Sequence, residues 1–131
     1  MTSYNGANSS VTVFNYDETS NSYDIVGACI KGQSGTYYGE SLALSAKGSR
    51  LAIGAHDHSN EESQSGKIFL FAVNNDNIVS IGGIYGEGAG DQSGWSVARS
   101  ADGKRVFVGA SDNGGGDNSG HVRVFESSPF L

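Results

Sequence analysis

At 131 residues and 13.6 kDa the chain has the size of one ordinary domain, and a formal charge of -6 with no cluster of Lys or Arg excludes a phosphate backbone as partner. Gly 20 against Pro 1, with the glycines spread along the chain, describes many tight turns rather than a linker or a collagen. Cys29 stands alone, which excludes an intrachain disulfide and a cysteine metal knuckle, and no apolar run approaches the roughly 18 residues of a membrane span.

In chain order, Met1 to Gly6 lacks the basic start and apolar stretch of a secretion signal. Val11 and Val13 alternate with Thr12 and Phe14 and predict a strand; the polar Asn15 to Ser22 reads as a turn, and Tyr23 to Ala28 as the hairpin partner. Gly39 to Ser45 puts Ser41 and Ala43 on one face and Leu42 and Leu44 on the other. The turn Ala46 to Ser49 then leads into Arg50 to Ala55. After a polar loop, Asp57 to Ser65, the strand Lys67 to Val73 corresponds to Ser10 to Tyr16, and Asn77 to Ile84 corresponds to Ser22 to Cys29. Strands at Gly94 to Ser100 and Lys104 to Ala110, joined at Ala101 to Lys104, repeat the tight hairpin, and Gly120 to Phe125 opens a third copy. Helical periodicity is absent throughout, so the fold class is all-β.

The cycle is a true internal repeat. Val26 to Ala55 lies on Ile81 to Ala110 without a gap, at a constant offset of 55, and eleven positions are identical. They are Gly27/Gly82, Gly35/Gly90, Gly39/Gly94, Ser41/Ser96, Ala43/Ala98, Ser45/Ser100, Ala46/Ala101, Gly48/Gly103, Arg50/Arg105, Gly54/Gly109 and Ala55/Ala110. A period of this size means a solenoid, a propeller or an array. Residues shared by the copies read as scaffold, so function is sought where the copies differ.

Tyr38-Gly39-Glu40-Ser41-Leu42-Ala43-Leu44 followed by Leu51-Ala52-Ile53-Gly54-Ala55 resembles the two halves of an FG-GAP repeat. Gly94-Trp95-Ser96-Val97-Ala98, Val106-Phe107-Val108-Gly109-Ala110 and Gly120-His121-Val122-Arg123-Val124-Phe125 are similar to the second copy, as in the integrin alpha-subunit propeller and in surface proteins of microbes and algae. The resemblance runs from about Ser9 to Glu126. Tyr38 and Ser93 replace the Phe of the FG pair, and His56 and Ser111 replace the Pro that follows the Gly-Ala.

That resemblance implies a β-propeller of four-stranded antiparallel blades, with the FG segment innermost, GAP second and the Gly-x-Val-x-Val-Phe type third. The expected layout is a single partial propeller: outer strands of one blade and a connection over 9–38, a complete blade over 39–84, and three strands of the next over 94–126. Nine strands are not a multiple of four, and propellers use about 4 to 8 blades. The expectation is therefore a segment of a larger surface or secreted protein, its partners the remaining blades or another protein. The rivals are a short, glycan-binding lectin-like chain completed by oligomerisation and an accessory structural subunit of a larger complex. An extracellular or cell-surface location is implied by the resemblance alone.

Few residues suggest chemistry. The calcium loop expected of this family between the FG and GAP strands is absent: Ser45 to Ser49 and Ser100 to Lys104 hold at most one carboxylate, whereas calcium takes 6 to 8 oxygens. In the loop Ser111 to Ser119, Asp112, Asn113, Asp117 and Asn118 are candidate calcium ligands, against a plain solvated turn. His56, Asp57, His58, Glu61 and Glu62 offer imidazoles and carboxylates for zinc, against an exposed polar loop. No Gly-x-Ser-x-Gly elbow occurs, and neither helix nor lysine follows Gly86 to Asp91 to make a phosphate cradle; the expectation is a non-enzymatic protein without cofactor.

Binding candidates come from the differences between copies. Trp95 stands for Glu40, Arg99 for Leu44, and Tyr37-Tyr38 for Gln92-Ser93. Aromatics beside Asn, Asp and Gln suit sugar stacking or a protein hot spot, so Tyr37, Tyr38, Trp95 and Arg99 are the candidate binding residues, with a glycan, also contacting Tyr85, as the alternative ligand. The competing reading of Trp95 is packing between blades. Arg99 interrupts an apolar alternation and needs a partner if buried.

Overall fold

A computed structural model describes residues 2–3, 9–59, 63–112 and 119–126. They form β1 (Thr2–Ser3), β2 (Ser10–Asp17), β3 (Ser22–Lys31), β4 (Ser41–Leu44), β5 (Arg50–Ala55), β6 (Lys67–Val73), β7 (Ile78–Tyr85), β8 (Ser93–Arg99), β9 (Arg105–Ala110) and β10 (His121–Glu126), with no helix. Three antiparallel sheets result, in the orders β1-β2-β3, β4-β5-β6-β7 and β8-β9-β10. The chain is all-β, arranged as a partial propeller: successive sheets, each a meander whose strands follow chain order.

Two details differ from the sequence expectation. A tenth strand, β1, joins the first sheet, on the side of β2 that corresponds to the position of β5 beside β6. The first hairpin also has a shorter turn than the polar run Asn15 to Ser22 suggests. Asn15, Tyr16 and Asp17 pair with Asp24, Tyr23 and Ser22, and the Tyr16 and Tyr23 rings meet at 5.0 Å. Such cross-strand aromatic pairing extends the ladder. The turn itself is closed by Asp17, whose carboxylate accepts from the Thr19 amide at 2.8 Å, and by Asn21 at φ 54.

Alternation along each strand separates two cores, one at each seam of the middle sheet. Leu51, Ile53 and Ala55 pack with Val11 and Tyr38 against the first sheet, joined by Val13, Phe69, Phe71 and Val73. Ala52 and Ile68 pack with Val106 and Val108 against the third sheet, joined by Ala43, Leu70, Val97 and Phe125. The leucine face of β4 looks toward the first sheet over a cleft of about 350 Å³ lined by Val11, Val13, Leu42, Leu44 and Leu51.

Several matched positions of the two copies take the same backbone conformation, whether or not the residue is shared. Tyr37 and Gln92 sit at φ 55 and 54, Gly39 and Gly94 at 89 and 97, and Gly48 and Gly103 at 70 and 76. Ser45 and Ser100 each brace their hairpin by accepting the amide of Arg50 or Arg105 on the hydroxyl, at 3.1 and 2.9 Å. Gly54 has no room for a Cβ, which would collide with the hydroxyl of Ser41 on the paired strand; at Gly109 a Cβ would meet only the exposed Ser96 hydroxyl, which can turn away. At Gly54 the Gly94 carbonyl of the third sheet would obstruct it as well.

Candidate functional site

The residues that differ between copies gather at the seam between the middle and third sheets. His56 follows β5 directly, Tyr37 lies in the loop between β3 and β4, and Trp95 lies near the start of β8. The His56 imidazole, only 4% exposed, is held between two rings. Tyr37 stacks on it at 4.8 Å with an interplanar angle of 23°, and Trp95 leans on it at 4.5 Å and 49°. Trp95 nevertheless keeps 52% of its surface open. It is both a packing residue between sheets and an exposed aromatic plane.

The local backbone explains the placement. Tyr37 adopts the left-handed conformation, uncommon outside glycine, and its carbonyl accepts the Glu40 amide at 3.2 Å. Gln92 does the same with the Trp95 amide at 3.2 Å. Both copies therefore present the residue at this turn, and that of the following strand start, to the same rim. Tyr37 and Glu40 fill these places in one copy, Gln92 and Trp95 in the other.

Polar groups surround the aromatic stack. Glu40 Oε2 lies 3.5 Å from His56 Nδ1, and Asp57 Oδ1 lies 3.9 Å from His56 Nε2. Gln92 Nε2 donates to Asp57 Oδ1 at 3.0 Å, and Ser111 Oγ donates to Gln92 Oε1 at 2.7 Å. The rim thus carries an open indole whose packing partner, His56, lies beside the carboxylates of Glu40 and Asp57, the latter held across the two sheets by Gln92. It can stack against a flat or apolar group and accept hydrogen bonds beside it. Trp95 and Tyr37 come together as the copy differences suggest, and His56 is the residue that joins them. Its signal in the sequence was its place as the variable residue after Gly54-Ala55.

The other candidates lie elsewhere. Tyr38, its neighbour Tyr37 notwithstanding, is a core residue: it is 3% exposed, meets Phe69 edge-on at 5.0 Å, and has its phenol pKa pushed up by burial. It has no surface for a ligand. Tyr85 is exposed on β7 beside Lys67, whose Nζ donates to the Tyr85 hydroxyl at 3.0 Å, away from the indole and its stack. Arg99 is half-buried at the seam in a pocket with Leu70, Ile84, Val106 and Phe125. Its Nε donates to the Gly103 carbonyl at 3.2 Å, while Nη1 is buried without a hydrogen-bond partner. Burial, and secondly the charge of Arg50, lower its pKa.

Of the candidate calcium ligands, Asp112 is half-buried and donates its amide to the Asp91 carbonyl at 3.3 Å. Asn113, Asp117 and Asn118 lie outside the described residues, as do Glu61 and Glu62. Among the described residues no three His, Cys, Asp or Glu side chains gather as a metal site. His56 and His58 go to different surroundings: His58 packs edge-on to Phe69 at 5.7 Å and faces Tyr85 at 6.4 Å. No helix among the described residues is long and apolar enough to cross a membrane.

In comparison with known proteins, no family model matches the chain and no curated protein matches it.

Proposed function

We propose that the chain is a non-enzymatic β-propeller interaction module, one arc of an FG-GAP-like propeller in a surface or secreted protein, which engages a partner protein at the rim between its middle and third sheets. One observation supports this reading: Trp95 stays half exposed while its ring packs on His56, which is itself stacked on Tyr37. A half-exposed indole packed on one side, with carboxylates close to its packing partner, has the composition of an interface anchor. The scaffold positions around it are the same in both copies, and the rim positions are not, which is how specificity is added to a repeat without disturbing its sheets.

A glycan is the second reading, favoured by the acceptors Glu40 and Asp57 beside the indole. Sugar rings stack on tryptophan and donate their hydroxyls to carboxylates.

Binding of the wild-type chain and of Trp95→Ala to immobilised extracellular proteins and to a glycan array tests both. Saturable binding that weakens at least about tenfold in the variant, with an unchanged circular dichroism spectrum, supports the rim site, and the class of ligand bound decides between the readings. Binding that is equally strong in Trp95→Ala overturns the site.

A further inference from the structure

The loops before β4 and β8 contain the same turn, closed by the Thr36 amide on the Gln33 carbonyl in one copy and by the Asp91 amide on the Gly88 carbonyl in the other. Thr36 and Asp91 are counterparts at the offset of 55, and both are buried, at 5% and 3% exposed. Thr36 satisfies itself by donating its hydroxyl to the Gln33 carbonyl at 2.7 Å. Asp91 accepts the Gly88 amide on Oδ2 at 3.1 Å, but its Oδ1 is buried without a hydrogen-bond partner. The first copy shows that a neutral side chain makes this turn, so the second carries an acceptor whose burial opposes folding. An orphan of this kind in a native turn points to a use outside the fold.

Asp91 lines a cavity of about 320 Å³ together with Glu87, Gly88 and His121. His121 Nε2 is a second buried atom without a hydrogen-bond partner, and it is an acceptor when the ring carries its proton on Nδ1. The first copy has neither acceptor, since the counterparts of Asp91 and His121 are Thr36 and, by strand register, Lys67. Glu87 adds a second carboxylate, exposed and 3.1 Å from Arg123 Nε. Gly88 leaves the approach to Asp91 open: the Cβ it lacks would stand 3.7 Å from Oδ1, with no atom nearer. Rotation about the soft terminal torsion of aspartate turns that oxygen toward the cavity. His121 also lines the neighbouring cavity walled by Trp95, so the acidic pocket adjoins the rim site.

We propose that this pocket receives a lysine side chain of the partner protein, whose ammonium donates to Asp91 Oδ1 and His121 Nε2 under the charge of Glu87. The proposal deepens the rim reading and rests on it for the partner being a protein. An ammonium is compact and carries donors with no acceptor, which matches two orphan acceptors and leaves its third proton for Glu87 or water. Its charge complements the two carboxylates and the net charge of -6. A divalent ion fits less well, because among the described residues no three His, Cys, Asp or Glu side chains gather to hold one.

Titration of the full isotope-labelled chain with n-butylammonium, followed by NMR at the His121 imidazole and the Gly88 amide, tests this. The expected result is saturable shifts at both groups, none from n-butanol at the same concentrations, and binding at least about tenfold weaker in Asp91→Thr and in Asp91→Asn. Asp91→Thr restores the turn that Thr36 makes, and Asp91→Asn keeps an acceptor for the Gly88 amide, so both are expected to fold, which circular dichroism verifies. Unmoved resonances, equal shifts from n-butanol, equal affinity in a folded variant, or a response to calcium or zinc ions with none to n-butylammonium overturns the proposal. The rim reading fails separately. A chain that binds n-butylammonium as expected while its protein ligand is indifferent to Trp95→Ala keeps the pocket and loses the rim site. A ligand lost in Trp95→Ala, from a chain that ignores n-butylammonium, keeps the rim site alone.

Discussion

The hydroxyl of Ser41, on the first strand of the middle sheet, donates to the carbonyl of Gly94, on the first strand of the third, at 2.8 Å. Ser96 repeats Ser41 in sequence and in strand position but looks outward. Removing a part-buried hydroxyl from a neutral hydrogen bond costs about 1 kcal/mol, and removing an exposed one costs little. Ser41→Ala is expected to lower the urea midpoint accordingly. Ser96→Ala is expected to leave it unchanged.

Arg99 places a guanidinium where the other copy has Leu44, with one nitrogen buried and unsatisfied. Replacing a poorly paired buried charge by an apolar side chain of similar length is commonly stabilising. Arg99→Leu is expected to raise stability by about 1 kcal/mol, read by calorimetry or urea titration. An Arg99→Leu protein less stable than wild type would mean that the guanidinium finds a partner.

His58 gives stability a pH dependence. Burial first, and then the charge of Lys67, lower its pKa in the folded chain. Tyr85 and Phe69 face the same ring. The unfolded chain therefore takes up the proton more readily, and stability falls as pH drops below the unfolded value near 6.5 toward the lower folded value. Chemical denaturation at stepped pH is expected to show this loss in wild type and a smaller one in His58→Gln. The losses from Asp17 and Asp102, whose pKa values are lowered chiefly by backbone hydrogen bonds from Thr19 and Lys104, begin only in more acidic solution.

Tyr38 and Trp95 separate stability from binding. Truncating a buried aromatic costs about 3 to 5 kcal/mol, so Tyr38→Ala is expected to unfold the chain or bring its melting temperature down sharply. Trp95→Ala gives up only one packed face and is expected to cost about 1 kcal/mol while removing the rim ligand. Thermal melts of both variants check the ranking.

The arrangement of strands was legible because alternation and the repeat agree: Ser41 and Ala43 versus Leu42 and Leu44 already define two faces, and the second copy restates them as Ser96 and Ala98 versus Val97 and Arg99. The strand Thr2–Ser3 was not, since two residues have no periodicity to read and their pairing with β2 is the only thing that defines them. Of the adjacent tyrosines, nothing local says which is core. The left-handed turn at Tyr37 sends that ring to His56, and Tyr38 to the first seam. The stack itself joins three stretches of chain, so only the fold reveals it, although Trp95 was visible as a departure from Glu40.

The fit between Ser41, Gly54 and Gly94 is supplied entirely by residues present in every copy of the unit. A stretch of gene encoding one period therefore encodes both the plug and its socket. When such a stretch is duplicated in tandem, this contact between newcomer and parent is copied with it. Arrays of this kind can lengthen in whole units, and the variable rim is left to diverge afterwards.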